Sequence, residues 1–422
     1  MKSYDKFIFE GWAFDKHSRC LQLHYALDDK LHFTETYKFD FDFDGYDESA
    51  LETAINTLFY LAGVSYYKTF LPATIVDKRM SINREDAQFY QTVYQKGLGE
   101  FFYVNKLSPE TEINFPVSQN DPQIQNPHGS GQLIGIGGGK DSLVSVELLR
   151  NQPKVATWSL DHRKQLEPLV QKIGLPHFWV ERTWDRQLLD LNKQDAYNGH
   201  VPISAIFSVV GVVVAILTGY RDVVVSNESS ANEPNLVYEG VEINHQYSKS
   251  LEYEKLYQLQ LARHFGESLR YYSLLRPFSE LRIAELFAKD TFDKYKDVFS
   301  SCNRAFIHGS SGMFWCGQCP KCAFVFLALT PFISRDELEQ VFGGKNLLLN
   351  PNLEKTYRKL LGIEGDKPLD CVGEIKESRA AMRLAGQIYP QLEKYHFELP
   401  DDYDFRALSE HAIPADVAPA IE

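Results

Sequence analysis

Two rhythms divide the chain. Near the N-terminus Leu21, Leu23, Tyr25 and Leu27 alternate with Gln22, His24 and Ala26, and Tyr37, Phe39, Phe41 and Phe43 alternate with Lys38, Asp40 and Asp42. A period of two on either side of Asp28-Asp29-Lys30 predicts antiparallel strands with one solvated face. The period then lengthens. Leu51, Ala54, Ile55, Leu58, Phe59 and Ala62 fall at helical spacing behind an acidic, Ser-containing start, and the pattern stops near Gly63. A second helix is predicted over residues 87–96, ending at Gly97 and Gly99. Residues 108–131 are polar and rich in Pro, Gln and Asn, which predicts a linker or an ordered long loop and places a domain boundary near residue 125.

From Gln132 the order becomes strand, helix, strand, helix. Leu133-Ile134-Gly135-Ile136 precedes a glycine cluster and the helical pattern Leu143, Val146, Leu149. Residues 155–160, 165–173, 178–180 and 223–226 continue as strand, helix, strand and strand, with a long apolar helix before the last. This alternation predicts an α/β fold with a parallel sheet, helices on both faces, and ligands at the carboxyl ends of the strands. The expected organisation is an α+β domain over 1–125, the parallel-sheet domain over 126–330 and a mostly helical region over 331–422. From about Pro400 a polar, Pro/Ala-rich tail is expected to be disordered. No internal repeat is visible.

The run from Val201 to Gly219 carries no charge and is about long enough to span a bilayer. It contains Pro202, Ser204, Ser208, Gly211 and Thr218 and leads directly into the apolar strand at Val223, so a helix buried against a sheet is the expected reading, with no membrane association. The 44 basic and 57 acidic residues among 422 give a net charge of −13, which disfavours non-specific nucleic-acid binding. No secretory h-region follows Met1, and four of the six cysteines lie between Cys302 and Cys322; both point to a reducing, cytoplasmic setting. No pattern specifies an oligomeric state.

Chemistry concentrates at Gly135-Ile136-Gly137-Gly138-Gly139-Lys140-Asp141-Ser142. A glycine loop between a strand and a helix presents backbone N–H groups and the helix dipole to an anion, and three glycines allow close approach to phosphate. A Walker A loop fails, because Ile134 and Asp141 occupy its required Gly and Ser/Thr positions. A GxGxxG fingerprint fails at Lys140. The stretch Gly137 to Ser142 instead resembles the SGGxDS loop of N-type ATP pyrophosphatases, with Gly137 in place of the usual Ser. That resemblance implies ATP held by Gly137, Gly138, Gly139, Lys140, Asp141 and Ser142, and cleavage to AMP and pyrophosphate. It places Asp141 near the magnesium–pyrophosphate, Ser142 on phosphate, and adenine against the backbone near residues 158–161, including Ser159.

Cys316-Gly317-Gln318-Cys319-Pro320-Lys321-Cys322 sets three thiols at x2 spacing, with Cys302 upstream. This suits a structural tetrahedral zinc, and it resembles the zinc cysteines of 7-cyano-7-deazaguanine synthases. The alternative is partly buried free thiols. Cys20 and Cys371 carry no pattern and are read as ordinary. Glu228, just past the strand ending at Ser226, stands where catalytic groups collect, or serves as a helix N-terminal carboxylate. His200 and His245 have suitable intrinsic pKa values for proton transfer. Asn227, Ser229 and Asn232 are candidates for helix capping or carboxylate binding. Lys249, Arg304 and Lys321 are candidates for anionic substrate groups or solvated surface. Tyr66, Tyr67 and Lys68 have core or cleft readings.

Six segments together resemble one family within that superfamily, the ATP-dependent UDP-N-acetylmuramoyl-L-alanyl-L-glutamate epimerases of peptidoglycan synthesis. They are residues 62–68, 97–101, 137–142, 198–202, 226–233 and 315–322. The resemblance implies inversion of the terminal L-Glu of UDP-MurNAc-L-Ala-L-Glu to D-Glu, with ATP and magnesium consumed through carboxylate adenylation. Asp141, Glu228 and His200 are then the catalytic candidates, Asn227, Lys249 and Arg304 the substrate contacts, and Cys302, Cys316, Cys319 and Cys322 the zinc ligands. The alternatives are another carboxylate-activating enzyme of the 7-cyano-7-deazaguanine synthase kind, or a nucleotide-binding regulator without catalysis.

Overall fold

The computed structural model describes residues 3–118, 123–307 and 312–421. Its strands are β1 (Lys6–Asp15), β2 (Cys20–Leu27), β3 (Leu31–Asp40), β4 (Thr74–Asp77), β5 (Gln132–Gly135), β6 (Val155–Leu160), β7 (His177–Thr183), β8 (Asp222–Val225), β9 (Leu236–Tyr238), β10 (Val241–Ile243) and β11 (Arg270–Ser273). β9 and β10 form a small hairpin; the others make one nine-stranded sheet in the order β11-β8-β5-β6-β7-β3-β2-β1-β4. From β11 to β7 the pairing is parallel, then antiparallel through β3, β2 and β1, with β4 parallel to β1 at the far edge.

In the parallel half the chain runs outward from β5 through β6 to β7, then returns to β8 and β11 on the other side. The strand order therefore reverses between β5 and β8. In doubly wound sheets a crevice opens there, at the carboxyl ends of the strands. The period-two pattern on these strands serves two cores. Leu133 and Val223 enter one, their neighbours Ile134 and Val224 the other. The first core is covered by helices Glu48–Ala62, Ile203–Thr218 and Leu251–Phe265, the second by Lys140–Leu149, Glu280–Asp290 and Pro320–Leu329.

The uncharged run becomes the 16-residue helix Ile203–Thr218, closed by Gly219 at φ +70°. Ala205, Ile206, Val209, Val210 and Val213 are fully buried between the sheet and helix Glu48–Ala62, which accounts for the missing polar face. No described helix is long and apolar enough to cross a membrane.

At the seam between the antiparallel and parallel strands, Arg182 on β7 donates to both carboxylate oxygens of Glu35 on β3, at 2.8 and 3.1 Å. Tyr37 Oη donates to the same carboxylate at 2.5 Å. The long polar stretch after residue 108 behaves as an ordered loop where described: Phe115 is buried, and Gln125 N donates to His264 O at 2.8 Å. Residues 119–122 of that stretch lie outside the described residues.

The tail expected to be disordered is packed instead. Ile413 and Val417 are buried in the second core, Ser409 N donates to Pro277 O at 2.8 Å, and Asp416 pairs with Arg270 at 2.7 Å. A low density of apolar residues concealed two anchors four positions apart, with ion pairs serving the rest. β1, β4 and β11 were also not assigned from the pattern. β11 is only four residues long, and three of them, Tyr271, Tyr272 and Ser273, are buried as the edge partner of β8.

Candidate active site

The glycine loop leaves β5 at the switch point. Gly138 adopts φ +92°, and a Cβ there would meet Phe306 Cζ at 3.0 Å and Ser300 O at 3.1 Å, so only glycine fits. Gly137 has open space around its Cβ position. Gly139 starts helix Lys140–Leu149 with no side chain capping its N-terminal N–H groups, which leaves them able to meet an anion. Ser142 Oγ donates to Gly139 O at 3.2 Å and closes the turn.

Lys140 does not extend into the loop. Its ammonium is buried and hydrogen-bonds Asp141 and Glu280. Lys321, one residue before Cys322, reaches Glu280 from the other side at 3.7 Å. Glu280 N in turn donates to Glu377 Oε1 at 2.7 Å. Burial would raise the Glu280 carboxyl, but Lys140 and Lys321 outweigh it and hold it below the usual range. Glu228 follows β8 and shares this charge field. Burial, with the nearby Glu280 carboxylate, pushes it up to about 7. Glu228 therefore changes charge near neutrality, as a general acid or base requires.

Arg276, fully buried, fixes this arrangement. It pairs with Glu254 at 3.0 Å and donates to the backbone carbonyls of Glu228 and Lys249. Lys249 thereby faces three anionic groups: Cys371, whose Sγ accepts from its Nζ at 3.2 Å, Glu228 and Asp141. Beyond Cys371 lies His245, hydrogen-bonded to Cys371 and through Nδ1 to Glu100. Burial pulls His245 down, but these two partners outweigh it and bring it up to about 9. His200 lies beside His245 with ring centroids 4.6 Å apart and Nδ1 3.7 Å from Glu100. Burial and the neighbouring His245 lower it to about 4, so at neutral pH His200 is uncharged. Lys68, brought down to about 8 by burial, completes the edge, 3.4 Å from Asn198 Oδ1.

The structure thus gathers Lys140, Asp141, Glu228, Lys249 and Lys321 into one charged cluster, which continues through Cys371 to His245 and His200. Several sequence candidates sit differently. Arg304 is exposed and donates to Gln318 Oε1 at 3.0 Å. Ser159 is buried, its hydroxyl 3.0 Å from His177 Nε2. Asn227 accepts at its backbone carbonyl from Ser273 Oγ at 2.6 Å. Asn232 serves the chain, accepting from Leu251 N at the start of helix Leu251–Phe265. Tyr66 and Tyr67 belong to the aromatic core, and only Lys68 turns toward Asn198.

Sequence reading missed Glu100, Glu280, Arg276 and Cys371. Only Glu100 carried a signal, inside the block 97–101. Cys371 is not the ordinary thiol expected. Burial pushes its thiol up, but Lys249 and His245 outweigh that and bring it down to about 6.

Cys302, Cys316, Cys319 and Cys322 converge, with all four Sγ atoms within 4.8 Å of one another. Cys319–Cys322 is 3.4 Å and Cys316–Cys322 is 3.6 Å, near the roughly 3.8 Å between sulfurs about 2.3 Å from a tetrahedral zinc. Backbone N–H groups of Cys316 and Cys322 point at Cys302 Sγ and Cys319 Sγ, each at 3.4 Å, as they do around thiolates. The donor set fits zinc.

Comparison with known proteins identifies the family. The MurL N-terminal domain family matches residues 1–274 and the MurL C-terminal domain family residues 298–394. A UDP-N-acetyl-alpha-D-muramoyl-L-alanyl-L-glutamate epimerase of Xanthomonas oryzae pv. oryzae is 39% identical over 98% of this chain and 97% of its own length. Proteins of the same name from Salinispora tropica and a Micromonospora species are 39% and 38% identical, each over 92% of this chain, and over 86% and 88% of their own lengths. With both halves of the sheet, the charged cluster around Lys249 and the four cysteines inside the matched span, the chain belongs to the MurL family.

Proposed function

We propose that the protein epimerises the terminal L-Glu of UDP-MurNAc-L-Ala-L-Glu to D-Glu at the expense of ATP, by activating a glutamate carboxylate as its adenylate. The observation that carries this reading is the junction of an anion-accepting glycine loop with a proton-transfer cluster around one ammonium, Lys249. A free carboxylate disfavours loss of the neighbouring Cα proton, because the carbanion would form beside an existing negative charge. Adenylation makes that group a neutral acyl, and each pKa unit gained at Cα removes at most about 1.4 kcal/mol of barrier.

The chain's own residues have separate tasks in this scheme. The N–H groups at the start of helix Lys140–Leu149 receive phosphate, and Asp141, tethered to Lys140, would hold magnesium. Lys249 meets the developing negative charge on the acyl oxygen. Glu228, which changes charge near pH 7, moves a proton at Cα. His200, neutral beside Glu100, is a hydrogen-bonding group at the far end of the charged cluster. A zinc ion on the four cysteines would be structural, since four thiolates leave it no open position.

The test is a reaction in deuterated water with UDP-MurNAc-L-Ala-L-Glu, ATP and magnesium. Pyrophosphate release, D-Glu in the recovered peptide and deuterium at Cα are expected together. D-Glu without deuterium, or no pyrophosphate, contradicts the reading. Asp141→Asn is expected to lower pyrophosphate release by 100-fold or more, the scale of lost electrostatic stabilisation.

A further inference from the structure

Glu228 accounts for a proton on one side of Cα, but inversion delivers the new proton to the opposite face. Either one group crosses the substrate or a second group stands across from the first. The second arrangement is available. Glu100, His245 and Cys371 form a carboxylate–imidazole–thiol relay, with Glu100 holding His245 Nδ1 and His245 hydrogen-bonded to Cys371. Lys249 caps the thiol at 3.2 Å and also interacts with Glu228, so one ammonium links the two groups.

The relay is held from three parts of the chain. His245 N donates to Asn235 Oδ1 at 2.9 Å, while Asn235 Nδ2 donates to Pro368 O at 3.1 Å, three residues before Cys371. Lys367 pairs with Glu233 at 2.6 Å, and Asn303 hydrogen-bonds Asp370. The segment that carries Glu228 thus pins the loop that carries Cys371. Cys371 is a half-buried residue that belongs to neither hydrophobic core, and its thiol sits within this charged cluster.

Resting on the epimerase reading above, we propose that Cys371 is the second proton-transfer residue, acting on the Cα face opposite Glu228, with Glu100 and His245 as its positioning residues. In one direction the Cys371 thiolate takes the Cα proton, the C–H electron pair passes into the enolate of the activated acyl group, and Glu228 gives its carboxyl proton to the other face. Water then hydrolyses the acyl adenylate to the D-Glu carboxylate and AMP, the Cys371 thiol returns its proton to solvent, the Glu228 carboxylate takes one up, and the chain is restored. The reverse direction uses the same groups with their roles exchanged.

The experiment uses the full chain with ATP and magnesium in deuterated water, and takes the L-Glu and D-Glu peptides separately. Wild type is expected to exchange Cα deuterium into both. Cys371→Ala is expected to lose exchange from one epimer by about 100-fold or more, and net inversion with it, while keeping exchange from the other epimer and pyrophosphate release. Cys371→Ser keeps the shape of the side chain and is expected to behave alike. His245→Gln is expected to raise the apparent pKa at which iodoacetamide alkylates Cys371. Loss of pyrophosphate release in parallel with both exchanges would assign Cys371 a structural role and overturn the proposal. So would exchange within threefold of wild type in both Cys371 variants. A stoichiometric transition metal bound by wild type and lost in Cys371→Ser would overturn it too, by making the thiol a ligand. Exchange and pyrophosphate are read independently, so exchange without pyrophosphate faults the nucleotide step and not Cys371.

Discussion

A carboxyl group that follows a parallel strand is ordinary; what distinguishes Glu228 is where its charge goes. Burial and Glu280 raise it from an ordinary 4.5 to about 7. The group ionises more readily in the unfolded chain, so its contribution to stability is full below pH about 4.5 and is lost as pH rises through about 7. Glu228→Gln removes that dependence. The variant is expected to match wild type near pH 4.5 and to exceed it in stability by on the order of 2–3 kcal/mol above pH 8, read as a widening gap in urea midpoints. A constant gap across that range would show that Glu228 does not titrate where assigned. The same variant is expected to lose Cα exchange from the epimer that keeps it in Cys371→Ala, and to keep both exchange from the other epimer and pyrophosphate release. Glu228 was legible in the sequence because strand ends in a parallel sheet are predictable positions. Cys371 and Arg276 were not, since each acts only through partners more than twenty residues distant along the chain, such as Lys249 for both.

At the scale of elements, the strand–glycine–helix unit, the apolar helix and most of the parallel strands were legible, because each writes its period within a dozen residues. The joining of β3 to β7 was not, since it pairs residues 139 to 147 positions apart and is tied by a buried ion pair rather than by a pattern. Glu35 is fully buried and Arg182 nearly so. Removing one partner leaves the other's charge unpaired in the core, so Glu35→Ala is expected to cost about 3–5 kcal/mol in urea denaturation. Replacing both, Glu35→Leu with Arg182→Met, is expected to recover most of that loss, since an apolar pair of similar volume needs no charge compensation. A double variant as unstable as Glu35→Ala would mean that the seam depends on the charge geometry itself, including the Tyr37 hydroxyl.

Across the whole molecule, the cysteine cluster lies between the charged groups around Glu280 and the C-terminal helices. Cys302 and Cys322 are buried in the second core, and Cys322 opens helix Pro320–Leu329, which helices Glu354–Leu360 and Ile375–Gly386 pack against. Lys321, inside the motif, reaches Glu280, whose N–H is held by Glu377 on the last of these helices. A metal at the four thiols would therefore fix both the C-terminal packing and the cation beside Glu280. Structural zinc contributes on the order of 10 kcal/mol to the region it closes. The purified chain is expected to carry one zinc, measured by elemental analysis, and Cys322→Ser to lose it. Loss of the metal is expected to make the segment from 298 to 361 sensitive to limited proteolysis first, because its core is tied by the cluster, while the seam at Glu35–Arg182 stays protected. Activity should fall with the metal, since Lys321 loses its anchor. It should return when zinc is restored to the chelated wild type, as a structural site predicts. A metal-free chain with full activity and an unchanged proteolysis pattern would instead make the four sulfurs free thiols sharing protons in a packed core.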